Sequence, residues 1–224
     1  PEYYQAEKIA IPDDESFMRM HRNQWASPTS RFIQSDHYLE KCAVESIRMP
    51  TFNAILYGSS DAGVLRDSCA TVFVMYDKNN DIVTVALESE FTPVEGVSEV
   101  DLSDSEDVIV TTNNKHRVVV WGYDPHQLEY IAQRVSNSKV TKKTVNTFRF
   151  TQVSKRVEAD TSLLERIKSG RLRYVKGSRL EAHLKNADAQ ILAGDKLRLV
   201  KRNDRLKIDL AVCLSMCCYL AEHA

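Results

Sequence analysis

The sequence lacks the features that mark several common classes of protein. Its longest nearly unbroken apolar run, residues 210–221, is shorter than the roughly 18 to 20 residues that a membrane span needs. The chain has only seven glycines and no G-x-x-x-x-G-K-[ST] motif, the signature of a P-loop nucleotide site. We therefore expect a buried helix at residues 210–221, no membrane segment, and no ATPase motor in these 224 residues.

The cysteine and serine patterns argue against a disulfide framework, a zinc site and a serine or cysteine hydrolase. The five cysteines lack the regular spacing of a disulfide framework. Cys213, Cys217 and Cys218 lie in the apolar run without the matching His/Cys pair of a zinc site. No G-x-S-x-G nucleophile elbow occurs, and the sequence does not open with the basic and apolar regions of a signal peptide. These absences favour a cytoplasmic protein that is not a serine or cysteine hydrolase.

Charge is unevenly distributed, although the formal net charge is −1. Residues 1–133 hold 10 Lys/Arg against 22 Asp/Glu, whereas residues 134–207 hold 20 against 7. Lysine and arginine bind nucleic acids by displacing counterions from phosphates, so the basic half predicts either a nucleic-acid partner or a well-solvated basic surface. The candidates for phosphate contact are Lys142, Lys143, Lys155, Arg156, Arg171, Arg173, Lys176 and Lys207.

The chain divides into an irregular opening and one main domain. Residues 1–50 are polar and interrupted by prolines, which predicts a linker or docking segment, and residues 51–224 form the domain. Within the domain the acidic stretch 99–107 is predicted to be an exposed loop.

The apolar patterning of the domain predicts an α/β fold. Three β-rich runs at 54–57, 69–76 and 82–87 indicate an antiparallel meander. A buried strand at 117–123 ends at Asp124-Pro125, a favourable cap and first position for a helix. The remaining predictions are a strand at 147–151, helices at 162–169 and 178–191, a strand at 196–200, and the apolar terminal helix. This order suggests a ribonuclease H-like mixed β-sheet flanked by α-helices.

Three aspartates follow or begin elements that such a fold brings together: Asp61, Asp124 and Asp209. Carboxylates are preferred ligands of Mg²⁺ and Mn²⁺, and two such ions can activate water and stabilise the leaving oxygen of a phosphodiester. Each aspartate alone also suits a turn or a helix cap. Asp67, in Arg66-Asp67-Ser68, is a fourth candidate metal ligand.

Short motifs around these aspartates resemble, in order, the nuclease motifs of the large terminase subunits of tailed bacteriophages. They are Gly58-Ser59-Ser60-Asp61-Ala62-Gly63 with Arg66-Asp67-Ser68-Cys69-Ala70, Tyr123-Asp124-Pro125-His126-Gln127, and the Lys-Ile-Asp motif within residues 205–216. Residues 17–25 resemble the segment that links the ATPase and nuclease domains of that family.

The resemblance implies a specific activity. Asp61, Asp124 and Asp209 would hold two Mg²⁺ or Mn²⁺ ions in an endonuclease that cuts double-stranded viral DNA during packaging in the host cytoplasm. The implied partners are DNA, the terminase ATPase domain, the small terminase subunit and the portal. Because the P-loop is missing, the resemblance also implies a fragment that follows an absent ATPase domain.

Two other functions remain open from the sequence. One is another ribonuclease H-like nuclease, such as a resolvase or transposase core, with the same metals and a different DNA substrate. The other is a non-catalytic DNA-binding or docking module of the packaging machine.

Overall fold

The computed structural model describes residues 29–63, 68–93, 100–137, 139, 141, 143–151, 153–192, 196–203 and 206–224. The strands are β1 (Thr29–Arg31), β2 (Ala43–Val44), β3 (Ile55–Ala62), β4 (Cys69–Asp77), β5 (Ile82–Phe91), β6 (Arg117–Tyr123), β7 (Thr147–Arg149), β8 (Leu172–Val175), β9 (Ala187–Ile191) and β10 (Leu197–Lys201). The helices are α1 (Asp36–Cys42), α2 (Ser103–Lys115), α3 (Pro125–Val135), α4 (Val153–Lys168), α5 (Arg179–Asn186) and α6 (Asp209–His223).

Seven strands form a mixed sheet in the order β2-β8-β5-β4-β3-β6-β7. Strands β3, β4 and β5 make the predicted antiparallel meander, whereas β6 runs parallel to both β3 and β7. Ser60 of β3 lies opposite Tyr123 of β6. The carboxyl ends of β3 and β6 therefore meet at one edge of the sheet, which we call the carboxylate edge.

A smaller antiparallel sheet of β1, β9 and β10 stands beside α4. The backbone N–H of Leu199 in β10 donates to Oδ2 of the buried Asp160 in α4, at 3.0 Å. This contact holds the end of β10, including Lys201, near the first half of α4.

Helix α6 packs across the main sheet, and residues 209–221 of it are buried. A helix that is apolar on all sides belongs in a protein core. The hydroxyl of Ser59 donates to the carbonyl of Cys213 at 2.6 Å, and the Cys213 thiol donates to the carbonyl of Ala70 at 3.3 Å. These bonds tie the first turns of α6 to β3 and β4, as the prediction of a buried helix requires.

Helices cover both faces of the sheet. Leu163 of α4, Leu180 of α5 and Leu39 of α1 join α6 in one buried cluster, while Ile109 of α2 and Leu128 of α3 belong to a second cluster on the other face. None of the helices in the described residues combines the length and the apolar character that crossing a bilayer requires.

Three sequence-based boundaries were wrong. Residues 103–107 of the predicted acidic loop are the first turns of α2, where acidic side chains are favoured by the helix dipole. Helix α4 begins at Val153 and not at the predicted residue 162, so Ser162 is an interior residue, and its hydroxyl donates to Glu222. Helix α5 stops at Asn186, and residues 187–191 form β9 because they pair with β1 and β10.

Part of the predicted linker packs into the fold. Phe32, Leu39 and Cys42 are buried in the main cluster, and Thr29 pairs with Gln190 between β1 and β9. Residues 1–28, which include the segment 17–25, lie outside the described residues. A linking role for the opening segment stays a prediction.

Candidate functional site

Two of the predicted aspartates are placed by neighbouring parallel strands. Asp61 is the penultimate residue of β3, and Asp124 directly follows β6. Because Ser60 faces Tyr123 in the register, the two aspartates continue the pair at the carboxylate edge. Asp124 also caps α3, as predicted, since its Oδ1 accepts the backbone N–H of His126 at 2.9 Å.

The third aspartate reaches the same edge through α6. Side chains alternate along a strand, so Asp61 points to the same face as Ser59, which binds α6. Asp209 begins that helix and is buried, and its Oδ2 accepts a hydrogen bond from the hydroxyl of Ser68, just before β4. The start of α6 thus lies beside the ends of β3 and β4.

The pKa of Asp61 is affected by the other two aspartates at this edge. The pKa of Asp61 is raised to about 7, mainly by burial and in addition by the neighbouring carboxylates of Asp209 and Asp124. Arg156 and Lys201 act in the opposite direction. A carboxylate that has two acidic neighbours and a raised pKa holds negative charge at a cost, which a bound cation would relieve.

The donor chemistry suits a hard divalent cation, because all three side chains offer carboxylate oxygens. Among the described residues, however, no three acidic, histidine or cysteine side chains are grouped closely enough to surround one ion. The three carboxylates therefore fit a divalent ion by donor type, and the described side chains do not by themselves enclose one. Asp67 lies outside the described residues.

A second layer of charged groups surrounds the start of α6. Glu90 of β5 has 9% of its side chain exposed, and its Oε1 lies 3.3 Å from Nζ of Lys207 and 3.7 Å from Nε2 of His183. Burial lowers the pKa of His183, although the charges of Glu90 and Asp209 oppose this effect. No local sequence pattern points to Glu90 or His183, because the strand and helix that carry them meet only in the fold.

The predicted basic residues do not share one surface. Arg156 lies near Asp61, and so does Lys201, which the sequence analysis did not single out. Its position at the end of an alternating strand was the available signal. Arg171 instead pairs with Asp81 at the opposite edge of the sheet, and Lys207 pairs with Glu90.

The other basic candidates are dispersed. Nζ of Lys143 donates to the carbonyl of His116, and Nζ of Lys155 lies 4.7 Å from the centre of the Phe148 ring. Arg173 donates to the carbonyl of Gly170, and Lys176 pairs with Glu45 at 3.7 Å. Lys142 lies outside the described residues.

A model of one protein family, described as the terminase large subunit, endonuclease domain, matches residues 64–223. The range contains Asp124 and Asp209 and begins three residues after Asp61. No curated protein sequence matches this chain significantly.

Solved structures share the fold. The large terminase of bacteriophage HK97 has a TM-score of 0.70 at 19% identity over 96% of this chain and 49% of its own, so this chain spans about half of that protein. The large terminase nuclease of thermophilic phage G20c with bound magnesium has a TM-score of 0.58 at 12% identity, over 81% and 94%. The large terminase nuclease domain of Thermus phage P74-26 has a TM-score of 0.52 at 11% identity, over 80% and 91%. The predicted ribonuclease H-like arrangement, a mixed sheet flanked by helices, is confirmed.

Proposed function

The chain belongs to the terminase large-subunit endonuclease family, the nucleases of phage DNA packaging, and from this premise we propose that it hydrolyses double-stranded viral DNA at the carboxylate edge. The observation that carries the proposal is the meeting of Asp61, Asp124 and Asp209 at that edge, where Asp61 senses both other carboxylates. The G20c nuclease, which shares the fold, was solved with bound magnesium.

Two Mg²⁺ or Mn²⁺ ions are the proposed cofactors. Asp61 at the end of β3, Asp124 directly after β6 and Asp209 at the start of α6 would hold them. Divalent ions at such a site supply activation of the attacking water and stabilisation of the charge on the leaving oxygen. The chain supplies the fixed positions of the carboxylates, since β3, β6 and α6 are all anchored in the core.

The side chains next to this edge suit a phosphate backbone. Arg156 of α4 and Lys201 of β10 bring two cations close to Asp61. Contacts of this kind position the duplex without reading its sequence. We propose that Arg156 and Lys201 hold the phosphates that flank the bond to be cut.

The wider setting follows from the family. We propose that the chain works in the host cytoplasm, on DNA that a terminase ATPase domain moves, together with the small terminase subunit and the portal. These partners rest on family membership.

Plasmid cleavage tests the proposal. The wild-type chain should cut a supercoiled plasmid with Mg²⁺ or Mn²⁺ and not with EDTA, and Asp124→Asn and Asp209→Asn should abolish cutting while remaining folded. Asp107→Asn, a change at an exposed acid of α2, is the matched control and should cut like the wild type. A folded wild type that binds DNA and never cuts it would support the docking module instead, and preference for branched DNA would support a resolvase.

A further inference from the structure

The segment that presents Asp209 is held from the side by α5. Nδ1 of His183 accepts the backbone N–H of Leu210 at 3.1 Å, and the side-chain amide of Asn186 donates to the carbonyl of Lys207 at 3.2 Å. His183 and Asn186 lie three residues apart, so they share one face of the helix. They bind the backbone on both sides of Asp209.

The contact from His183 satisfies a group that a helix start leaves unpaired. The first N–H groups of a helix have no partner within it, and Ile208, at the cap position of α6, makes no side-chain cap bond. His183 therefore performs the capping role from another helix. It is 5% exposed, so water cannot readily replace it.

Glu90 lies beside the second ring nitrogen of His183. Because Nδ1 accepts a hydrogen bond, the ring proton of a neutral His183 is on Nε2, the atom that faces Glu90 Oε1 at 3.7 Å. The same oxygen lies 3.3 Å from Nζ of Lys207. Glu90 thus connects β5 to both α5 and the segment before Asp209.

The sheet register connects this group to the site. Asp61 lies opposite Ala70, and Ala70 lies opposite Glu90, so the three residues form one row across β3, β4 and β5. Directly paired residues project from the same face of a sheet. Glu90 and Asp61 thus flank the start of α6 from the same face.

We propose that His183 and Asn186 are positioning residues that fix the backbone around Asp209, with Glu90 lying next to His183 and Lys207. The proposal rests on the proposed metal site. In this proposal α5 orients one metal ligand, Asp209. Lys207 contributes to the same positioning through its pair with Glu90.

The test compares His183→Ala, His183→Asn and Asn186→Ala with Lys185→Ala, an exposed change on the same helix. Mn²⁺ binding without DNA is measured by calorimetry, and protection of the Leu210 amide is measured by hydrogen exchange.

Residues that orient a metal ligand typically affect metal affinity by about 10- to 100-fold. We expect about tenfold weaker Mn²⁺ binding and a less protected Leu210 amide in His183→Ala, and weaker binding in Asn186→Ala. In His183→Asn, whose Oδ1 can replace Nδ1, both properties should be within about twofold of the wild type.

Different results separate the two claims. If the wild type binds no Mn²⁺, the proposed metal site fails, and the role of α5 as its support fails with it. If the wild type binds Mn²⁺ and His183→Ala binds it equally well, the proposed site stands and the positioning role is overturned. Equal loss in His183→Asn and His183→Ala would also overturn it, since a purely structural role explains that result.

Discussion

The two ends of helix α6 carry charged clusters of opposite design. At its start, Asp209 meets Asp61 and Asp124, and the pKa of Asp61 is raised by burial and by these acids. At its end, Glu222 and Asp81 both bind the buried guanidinium of Arg166, which is 2% exposed. Burial raises the pKa of Asp81, but hydrogen bonds from Arg166 and Tyr76 outweigh it and keep that pKa below its ordinary value.

We interpret this difference as that between a proposed metal site at the start of α6 and a structural cluster at its end. In the cluster around Arg166, each acid meets a cation within the chain, so its charges are balanced without a ligand. At the carboxylate edge, the acids Asp209 and Asp124 raise the pKa of Asp61, and the cations Arg156 and Lys201 lower it. We propose that ions from solution balance the carboxylates there, whereas the cluster around Arg166 supports the fold.

The sharpest way to break this contrast is to neutralise one acid at each end. Asp61→Asn should lower cleavage by more than the roughly 100-fold that is typical of residues that only orient a metal ligand. Asp81→Asn should leave cleavage unchanged and lower the melting temperature, because it removes a partner of Arg166. Plasmid cleavage and thermal melting of both variants measure this. Equal activity of the two variants would remove the distinction.

Removing the central cation should affect stability most. Arg166→Met keeps the aliphatic stem but leaves Asp81 and Glu222 without their shared partner. Breaking a buried pair costs about 3 kcal/mol, here reduced by the partial exposure of the two acids. Urea unfolding gives the value, and a variant as stable as the wild type would show that the cluster does not support the fold.

DNA affinity tests whether the basic residues near the carboxylate edge contact the duplex. Arg156→Ala and Lys201→Ala should each weaken DNA binding by about threefold to tenfold and lower its salt dependence by about one phosphate contact. Lys176→Ala changes a cation on the outer side, where it pairs with Glu45, and should have little effect. Fluorescence anisotropy at several salt concentrations measures all three. Equal losses would mean that the duplex does not follow the carboxylate edge.

Asp160 of α4 gives the smallest predicted effect. Burial raises the pKa of Asp160, while its oxygens accept bonds from Ser215 and the N–H of Leu199. A raised pKa means that this acid favours folding most below its unfolded pKa and loses that contribution as pH rises through the folded value. The wild type should therefore lose stability relative to Asp160→Asn as the pH rises from about 4 to about 7. Urea unfolding at these two pH values measures the difference in unfolding free energy between the two proteins. A wild type that gains stability relative to the variant over this range would contradict the prediction.

Local sequence signals predicted several elements near the carboxylate edge, where those signals coincided with packing. The apolar run 117–123 is β6, and Asp124-Pro125 begins α3, because a buried strand and a helix cap each have local causes. Ser178, at the predicted start of a helix, caps α5 because its hydroxyl accepts the N–H of Glu181, although the Glu181 carboxylate accepts the N–H of Gly177 and not that of Ser178. Helix α6 was predictable from its apolar composition alone.

Long-range contacts decided the rest. Residues 187–191 continue the pattern of α5 but become β9 because β1 and β10 pair with them. The basic residues counted as one set lie at both edges of the sheet, because charge composition carries no information about faces. His183 and Glu90, separated by 93 positions, could be connected only once the fold placed α5 beside β5.

The most direct measurement is a crystal structure of the chain soaked in Mn²⁺, with the ions located by their anomalous scattering. We expect manganese at the carboxylate edge, bound by Asp61 together with Asp124 and Asp209. Manganese bound only elsewhere, such as at Asp81 and Glu222, or a fully formed edge without manganese in crystals of a chain that cuts DNA, would contradict the account.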